Sequence, residues 1–390
     1  MKLLKKITRN GMSWIRNTSI FLLFIFIFME IGSYVLTKAN LLLVNETPAF
    51  YYNDNSPLSS LDPIYWTESD PWGAWHPKNT RLRFKALNLT VKSCFDVAME
   101  FNEIGARDGS FQDLDNESLI LLGDSFAEGF GVSLPDTSQF LIEQQLDLNI
   151  LNMGTSSAFG PLQQLLLYDE FKDKLPHKGL IIYVLPANDF SDNDAAHWAK
   201  LGPDHTKKYR PYFSSGENPL LPFYFDESVK KGKPSDSITK KFIKDHFWTA
   251  NVLRTFLLLM RGDTNNTVLS FYYDAEINQQ ENLLLAYKEI LTKADEKDVL
   301  FVVIPTQEDI SRFQNSDKPD SYKQQMWYKG FVSFAMRSNQ RVSMLDLMDY
   351  LPSNTEELFF TCDGHWSPKG NKWAADIVSN HILDKKLFSK

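Results

Sequence analysis

One serine stands in a setting that suits chemistry. Gly123-Asp-Ser-Phe-Ala-Glu-Gly129 follows the apolar run Leu119–Leu122 directly. A Ser125 hydroxyl at the turn from a buried strand into a helix projects from the sheet edge, where free N–H groups and the positive end of the helix dipole gather. Helix capping by Asp124 or Ser125 would produce the same letters. Three further segments supply matching groups. Asn152–Pro161 is rich in small residues, which let backbone N–H groups approach a ligand. Pro186-Ala-Asn-Asp189 puts Asn188 behind another apolar run, where its amide can donate to an oxyanion or form an Asx-turn. Near the C-terminus, Cys362–Asn371 carries Asp363 and His365, a general base with an acid placed to hold its ring. A lone histidine is more often structural. Here nucleophile, donors, base and acid each fall behind a strand or beside the final helix.

The elements that must position these groups follow a regular pattern. Short apolar runs recur at Leu119–Leu122, Asn149–Asn152, Leu180–Val184, Val299–Ile304 and Val342–Leu345. Continuous apolar runs suit strands buried on both faces of a parallel sheet. Their alternation with helix-like stretches predicts an α/β fold, a flavodoxin-like three-layer sandwich on a five-stranded parallel sheet. Ligands bind such sheets beyond the carboxyl ends of the strands, where the four segments lie. A domain is expected over residues 116–390, with an insertion at about 190–297 that is longer than ordinary connections. The insertion is rich in aromatics, offers an amphipathic helix at about 238–261, and either packs on the domain or forms a lid. Residues 39–115 read as a polar stalk followed by a small β-rich element, with alternating strands at Arg81–Lys85 and Phe95–Met99.

Jointly, Gly123-Asp124-Ser125, the glycine turn, Asn188-Asp189 and Asp363-x-His365 resemble the four blocks of the SGNH/GDSL hydrolase superfamily. Asn102–Asp108 is similar to a segment that often precedes the serine block in anchored or secreted members. The resemblance spans about residues 100–385. It implies Ser125 as nucleophile, His365 as base and Asp363 as the orienting acid, with oxyanion donors from the Ser125 N–H and Asn188. The second-block donor falls on Ser157 by the usual count, with Gly154 flanking it. Asp363 stands two residues before His365, where many members place it three before. The Asp-x-His-Trp form resembles the alginate O-acetyltransferase-like branch. The implied activity is that of a serine esterase or deacylase on O-acyl groups. Two alternatives remain: an O-acetyltransferase acting on an extracytoplasmic polysaccharide, and a non-catalytic glycan-binding accessory protein. No cofactor or metal is implied. Trp366 and Trp198 are candidate rings for a sugar face.

The rest of the composition sets limits. The chain has 390 residues, 43% hydrophobic and 23% charged, which excludes wholesale disorder. A net charge of −8 argues against nucleic acid as partner. Residues 1–18 hold Lys2, Lys5, Lys6, Arg9 and Arg16 and no acid, so the remainder is more acidic still. The apolar stretch that follows predicts a signal anchor over 19–38, with the basic foot cytoplasmic and the catalytic domain extracytoplasmic. A cleaved signal peptide and a buried soluble helix are the alternatives, and Glu30 reads as an interface-level residue. The expected partners are the membrane, through this helix, and an acylated carbohydrate or other ester. In an oxidising compartment, the two cysteines, Cys94 and Cys362, could pair.

Overall fold

The structure, a computed structural model, describes residues 2–38, 49–53, 67–69, 71–87, 93–111, 117–156, 159–201, 210–214, 218–222, 247–250, 252–253, 270–336, 341–360 and 364–389. The chain opens with helix α1 (Lys2–Lys38). A small antiparallel sheet follows: β1 (Ala49–Asn53) pairs with β4 (Thr80–Leu87), and β4 with β5 (Ser93–Phe101). Between them lies the two-stranded ribbon β2 (Thr67–Ser69) and β3 (Gly73–Trp75). The main domain then runs β6 (Leu119–Leu122), α2 (Ser125–Glu128), α3 (Ser138–Leu146), β7 (Ile150–Asn152), α4 (Pro161–Phe171), β8 (Gly179–Val184) and α5 (Pro186–Asp189). It continues with α6 (Ala195–Leu201), α7 (Phe271–Asp274), α8 (Ile277–Ala294), β9 (Asp298–Val303), α9 (Gln307–Asn315), α10 (Met326–Phe334), β10 (Val342–Asp346) and α11 (Pro368–Lys385).

All five strands of the main sheet are parallel, in the order β10-β9-β8-β6-β7. Strands β6, β7, β8 and β9 are buried along their whole length, as continuous apolar runs require. Helices α3 and α11 pack together, as do α4 and α8, with α10 against α8. These two helix groups cover the sheet, giving the expected flavodoxin-like three-layer sandwich. The order reverses between β6 and β8. That is the topological switch point, where the loops after neighbouring strands diverge and leave a crevice. Ser125 follows β6 and Asn188 follows β8.

Two differences from the sequence reading concern the insertion and its helix. The expected insertion of about 190–297 takes in α8, yet α8 buries Leu283, Ala286, Tyr287, Ile290 and Leu291 as a crossover helix of the sandwich. Its apolar stripe has the period of any core helix, so the sequence boundary ran too far. Of the amphipathic helix expected at about 238–261, 248–250 and 252–253 are helical and 247 is not; the other positions lie outside the described residues.

Asp346 ends β10 inside the core. It accepts hydrogen bonds from the Tyr322 hydroxyl at 2.8 Å and the Met348 N–H at 3.0 Å. Burial pushes its carboxyl up to about 7, opposed by those donors. Burial likewise pushes Asp108 up to about 7. Both groups bind a proton in the folded state at pH values where the unfolded chain has released it. Their contribution to stability is full below about pH 4 and is lost as pH rises through about 7. The melting temperature is therefore expected to fall between pH 5 and pH 8. Asp346→Asn should flatten that fall by roughly 2 °C or more, read by differential scanning calorimetry. An unchanged slope would contradict the linkage.

Candidate active site

Gly123 leaves β6 with φ +155°, and a Cβ there would lie 2.7 Å from the Ala127 side chain. This close approach swings the chain sharply into α2. Asp124 is the N-cap and accepts the Phe126 N–H at 2.9 Å. Capping is thus done by Asp124, which leaves the Ser125 hydroxyl for another partner. That partner is His365: Nε2 lies 2.7 Å from Ser125 Oγ. Among the described residues no hydrogen bond engages the Ser125 N–H.

His365 rides on a tight loop. The Phe360 N–H donates to the His365 carbonyl at 2.8 Å, Gly364 turns with φ +78°, and Phe359 and Trp366 form an isolated antiparallel bridge. Neighbouring residues on extended backbone point to opposite sides. Trp366 accordingly goes into the core, 1% exposed, against Phe126, Tyr183 and Trp373. His365 faces Ser125, its ring between Phe126 and Phe130 at centroid distances of 5.3 and 5.0 Å. The expectation that Trp366 offers a face to substrate is therefore corrected. Residue type reveals that a ring is flat, not which way it points.

Asn188 sits in α5, and its amide donates to Asp124 Oδ2 at 3.0 Å. The Asn188 side-chain oxygen is buried and has no hydrogen-bond partner among the described residues. Burial pushes the Asp124 carboxyl above its ordinary range, against the Phe126 N–H, the Asn188 amide and the nearby His365. Burial, with the charges of Asp124 and Asp192 adding, holds the neighbouring Asp189 carboxyl well above that range. Asp189 accepts the Leu185 N–H and the Tyr287 hydroxyl. Its place is structural, fixing the turn that carries Asn188.

Gly154 differs from its expected part as an oxyanion donor. Its N–H donates to the Asn152 side-chain oxygen at 2.9 Å. A Cβ on Gly154 would lie 2.4 Å from the Glu128 backbone nitrogen. The glycine is there because the second-block loop packs directly on α2. Ser157 and Asp363 lie outside the described residues, as does Cys362, the expected partner of Cys94. Trp198 donates its indole N–H to the Ser191 and Asp192 carbonyls, and the Arg210 guanidinium stacks over its ring at 4.3 Å. One face of this half-buried ring is thereby taken by Arg210.

The bracing residues behind Ser125 were not singled out from sequence. Arg107 is buried and donates to the carbonyls of Glu128, Gly129 and Val132, gathering the chain that leaves α2. Asn102 shapes the preceding turn, accepting from the Ile104 and Ala106 N–H groups and donating to the Gly109 carbonyl. Glu128, fully buried, faces His76 Nε2 at 3.1 Å and accepts the Ser156 N–H at 2.8 Å. His76 also meets the Gly105 carbonyl and the Thr155 hydroxyl. Phe130 plugs the small core of Leu82, Phe84, Phe95, Met99 and Phe101. The N-terminal element is thus built into the back of α2. The Asn102–Asp108 spacing was the available signal, and it carried no direction.

A family model described as an SGNH hydrolase-like domain of the acetyltransferase AlgX matches residues 266–390. No curated protein matches the chain. Similar solved structures include the lipase/acylhydrolase from Enterococcus faecalis, at 14% identity over 69% of this chain and 96% of that one, TM-score 0.35. A member of the lipolytic protein G-D-S-L family from Veillonella parvula matches at 11% identity over 68% and 96%, TM-score 0.33. The salicylyl-acyltransferase SsfX3 from a tetracycline biosynthetic pathway matches at 13% identity over 68% and 55%, TM-score 0.35. These likenesses are distant, and the fold assignment stands on the chain's own strand order.

Proposed function

We propose that the chain, whose residues 266–390 match an SGNH hydrolase-like domain of the acetyltransferase AlgX, is an acyl-transfer enzyme of the SGNH/GDSL kind acting on O-acyl esters through Ser125. The observation that carries this reading is the 2.7 Å contact between Ser125 Oγ and His365 Nε2 at the switch point of the sheet. His365 Nε2 takes the hydroxyl proton as Ser125 Oγ bonds to the ester carbonyl carbon. The carbonyl electrons move to oxygen, and the Ser125 N–H and the Asn188 amide stabilise that oxyanion. One such donor is typically worth about 2.7–4 kcal/mol. The C–O bond then breaks, and His365 returns the proton to the departing alcohol. Water, or a second alcohol, attacks the acyl-serine by the reverse sequence. Asp363 is the acid proposed to orient His365.

The acceptor decides between deacylase and transferase. The family match over residues 266–390 favours transfer of an acetyl group to a carbohydrate hydroxyl. The α1 stretch Arg16–Leu36 is long and apolar enough to cross a membrane, and the basic residues before it favour a cytoplasmic foot. In this reading the enzyme works outside the cytoplasm on an acylated or acyl-accepting polysaccharide. Full-length protein in detergent should cleave p-nitrophenyl acetate. Adding a uronate or hexose oligosaccharide should raise p-nitrophenol release several-fold and yield acetylated sugar by mass spectrometry. Release unchanged by any acceptor, with acetate as the sole product, would leave the deacylase and remove the transferase.

A further inference from the structure

The apolar helix does more than run beside the body of the protein. Glu30 accepts the Trp248 N–H through Oε2 at 2.8 Å and the Thr249 N–H through Oε1 at 3.0 Å. Ser33 Oγ lies 3.3 Å from Thr249 Oγ1. Phe26 meets Phe247 edge-on with ring centroids 5.6 Å apart, and Tyr34 meets Trp248 at 5.4 Å. Along the stretch Arg16–Leu36, Phe21, Leu22, Leu23, Phe24 and Phe28 are exposed, whereas Ser33 is buried under this contact.

Depth gives the contact its meaning. At the rise of an α-helix, Glu30 lies about 9 Å, and Phe26 about 15 Å, inside the Leu36 end of the stretch. A carboxylate that deep in hydrocarbon is costly unless hydrogen-bonded. Backbone turning helical at 248–250 has the complementary need, because its first N–H groups lack intrahelical acceptors. Each satisfies the other away from water. Phe247, packed on Phe26, must reach deeper than Glu30 itself.

We propose that residues 247–250 and 252–253 are a second membrane contact: they dip into the outer leaflet beside α1, latched by Glu30. Trp248, packed on Tyr34 near the Leu36 end, lies half-buried in the interfacial layer, where Trp is favoured; Phe247 reaches deeper, to Phe26, and Leu253, 55% exposed, faces lipid. The body is docked on the bilayer rather than hung from one helix. This rests on α1 being a membrane anchor, and the test separates the two.

Full-length Ser33→Cys/Thr249→Cys protein in native membranes is first washed with alkaline carbonate, then oxidised mildly and mapped by mass spectrometry. Retention in the pellet, with more than half of the chains linked between positions 33 and 249, is the expected result. Adding Glu30→Leu should lower that linkage at least fivefold. In nanodiscs of brominated phosphatidylcholine, Trp248→Phe should remove a quenched component of the tryptophan emission. A retained chain with no 33–249 link, linkage indifferent to Glu30→Leu, or Trp248 emission untouched by bromine would overturn the docking while leaving the anchor. Release by carbonate would overturn both.

Discussion

Ser125→Ala is expected to reduce ester turnover by at least about ten-thousand-fold, because nucleophile and base act as one unit. The protein should remain folded. The Ser125 hydroxyl caps nothing: Asp124 receives the Phe126 N–H, and among the described residues the Ser125 side chain bonds to His365 alone. A melting temperature within about 2 °C of wild type, beside the lost activity, separates a chemical role from a structural one. His365→Gln should match the activity loss, and the double variant should be no worse than either single one. Additive losses would mean that the two side chains act independently, against a shared proton.

Arg107→Ala is expected to have the largest effect on stability. The buried guanidinium serves the Glu128, Gly129 and Val132 carbonyls at once. Its removal takes a donor from all three; the Gly129 carbonyl keeps the Val132 N–H at 3.3 Å, and those of Glu128 and Val132 are stranded, each costing about 1–3 kcal/mol. The total should be at least about 3 kcal/mol, read from chemical denaturation. Turnover should fall more than tenfold at a temperature where the variant is still folded, since these carbonyls set the exit of the helix bearing Ser125. Arg107→Lys should not rescue it, because one ammonium cannot reproduce a fork that reaches three oxygens. Full rescue by Lys would mean that charge, not geometry, is what the site uses.

Much of the scaffold could be read from the letters. Strands buried on both faces leave unbroken apolar runs, so β6, β8 and β9 stood out. The rule that ligands bind behind such strands then singled out Ser125 and Asn188. Other features were hidden for physical reasons. Gly154 looked like an oxyanion donor because glycine permits close backbone approach, yet what approaches is the Glu128 backbone. Trp366 looked like a sugar platform because its ring is flat, and the bridge to Phe359 turned it inward. The bracing roles of Arg107, His76 and Glu128 were not legible because burial of a charged side chain depends on partners distant in sequence. Arg107 is some twenty residues from the carbonyls it gathers, and His76 is farther still from Glu128. Glu30 was placed at an interface by its interruption of the apolar stretch, but its partners Trp248 and Thr249 lie beyond any local pattern.

The most direct test of the central assignment is covalent trapping. Full-length enzyme treated with a fluorophosphonate ester, digested and mapped, should carry a single phosphonyl group on the peptide containing Ser125. Labelling should be complete in wild type, slowed at least a hundredfold in His365→Gln and absent in Ser125→Ala. A label that lands on another serine, or persists at full rate in Ser125→Ala, would contradict the account.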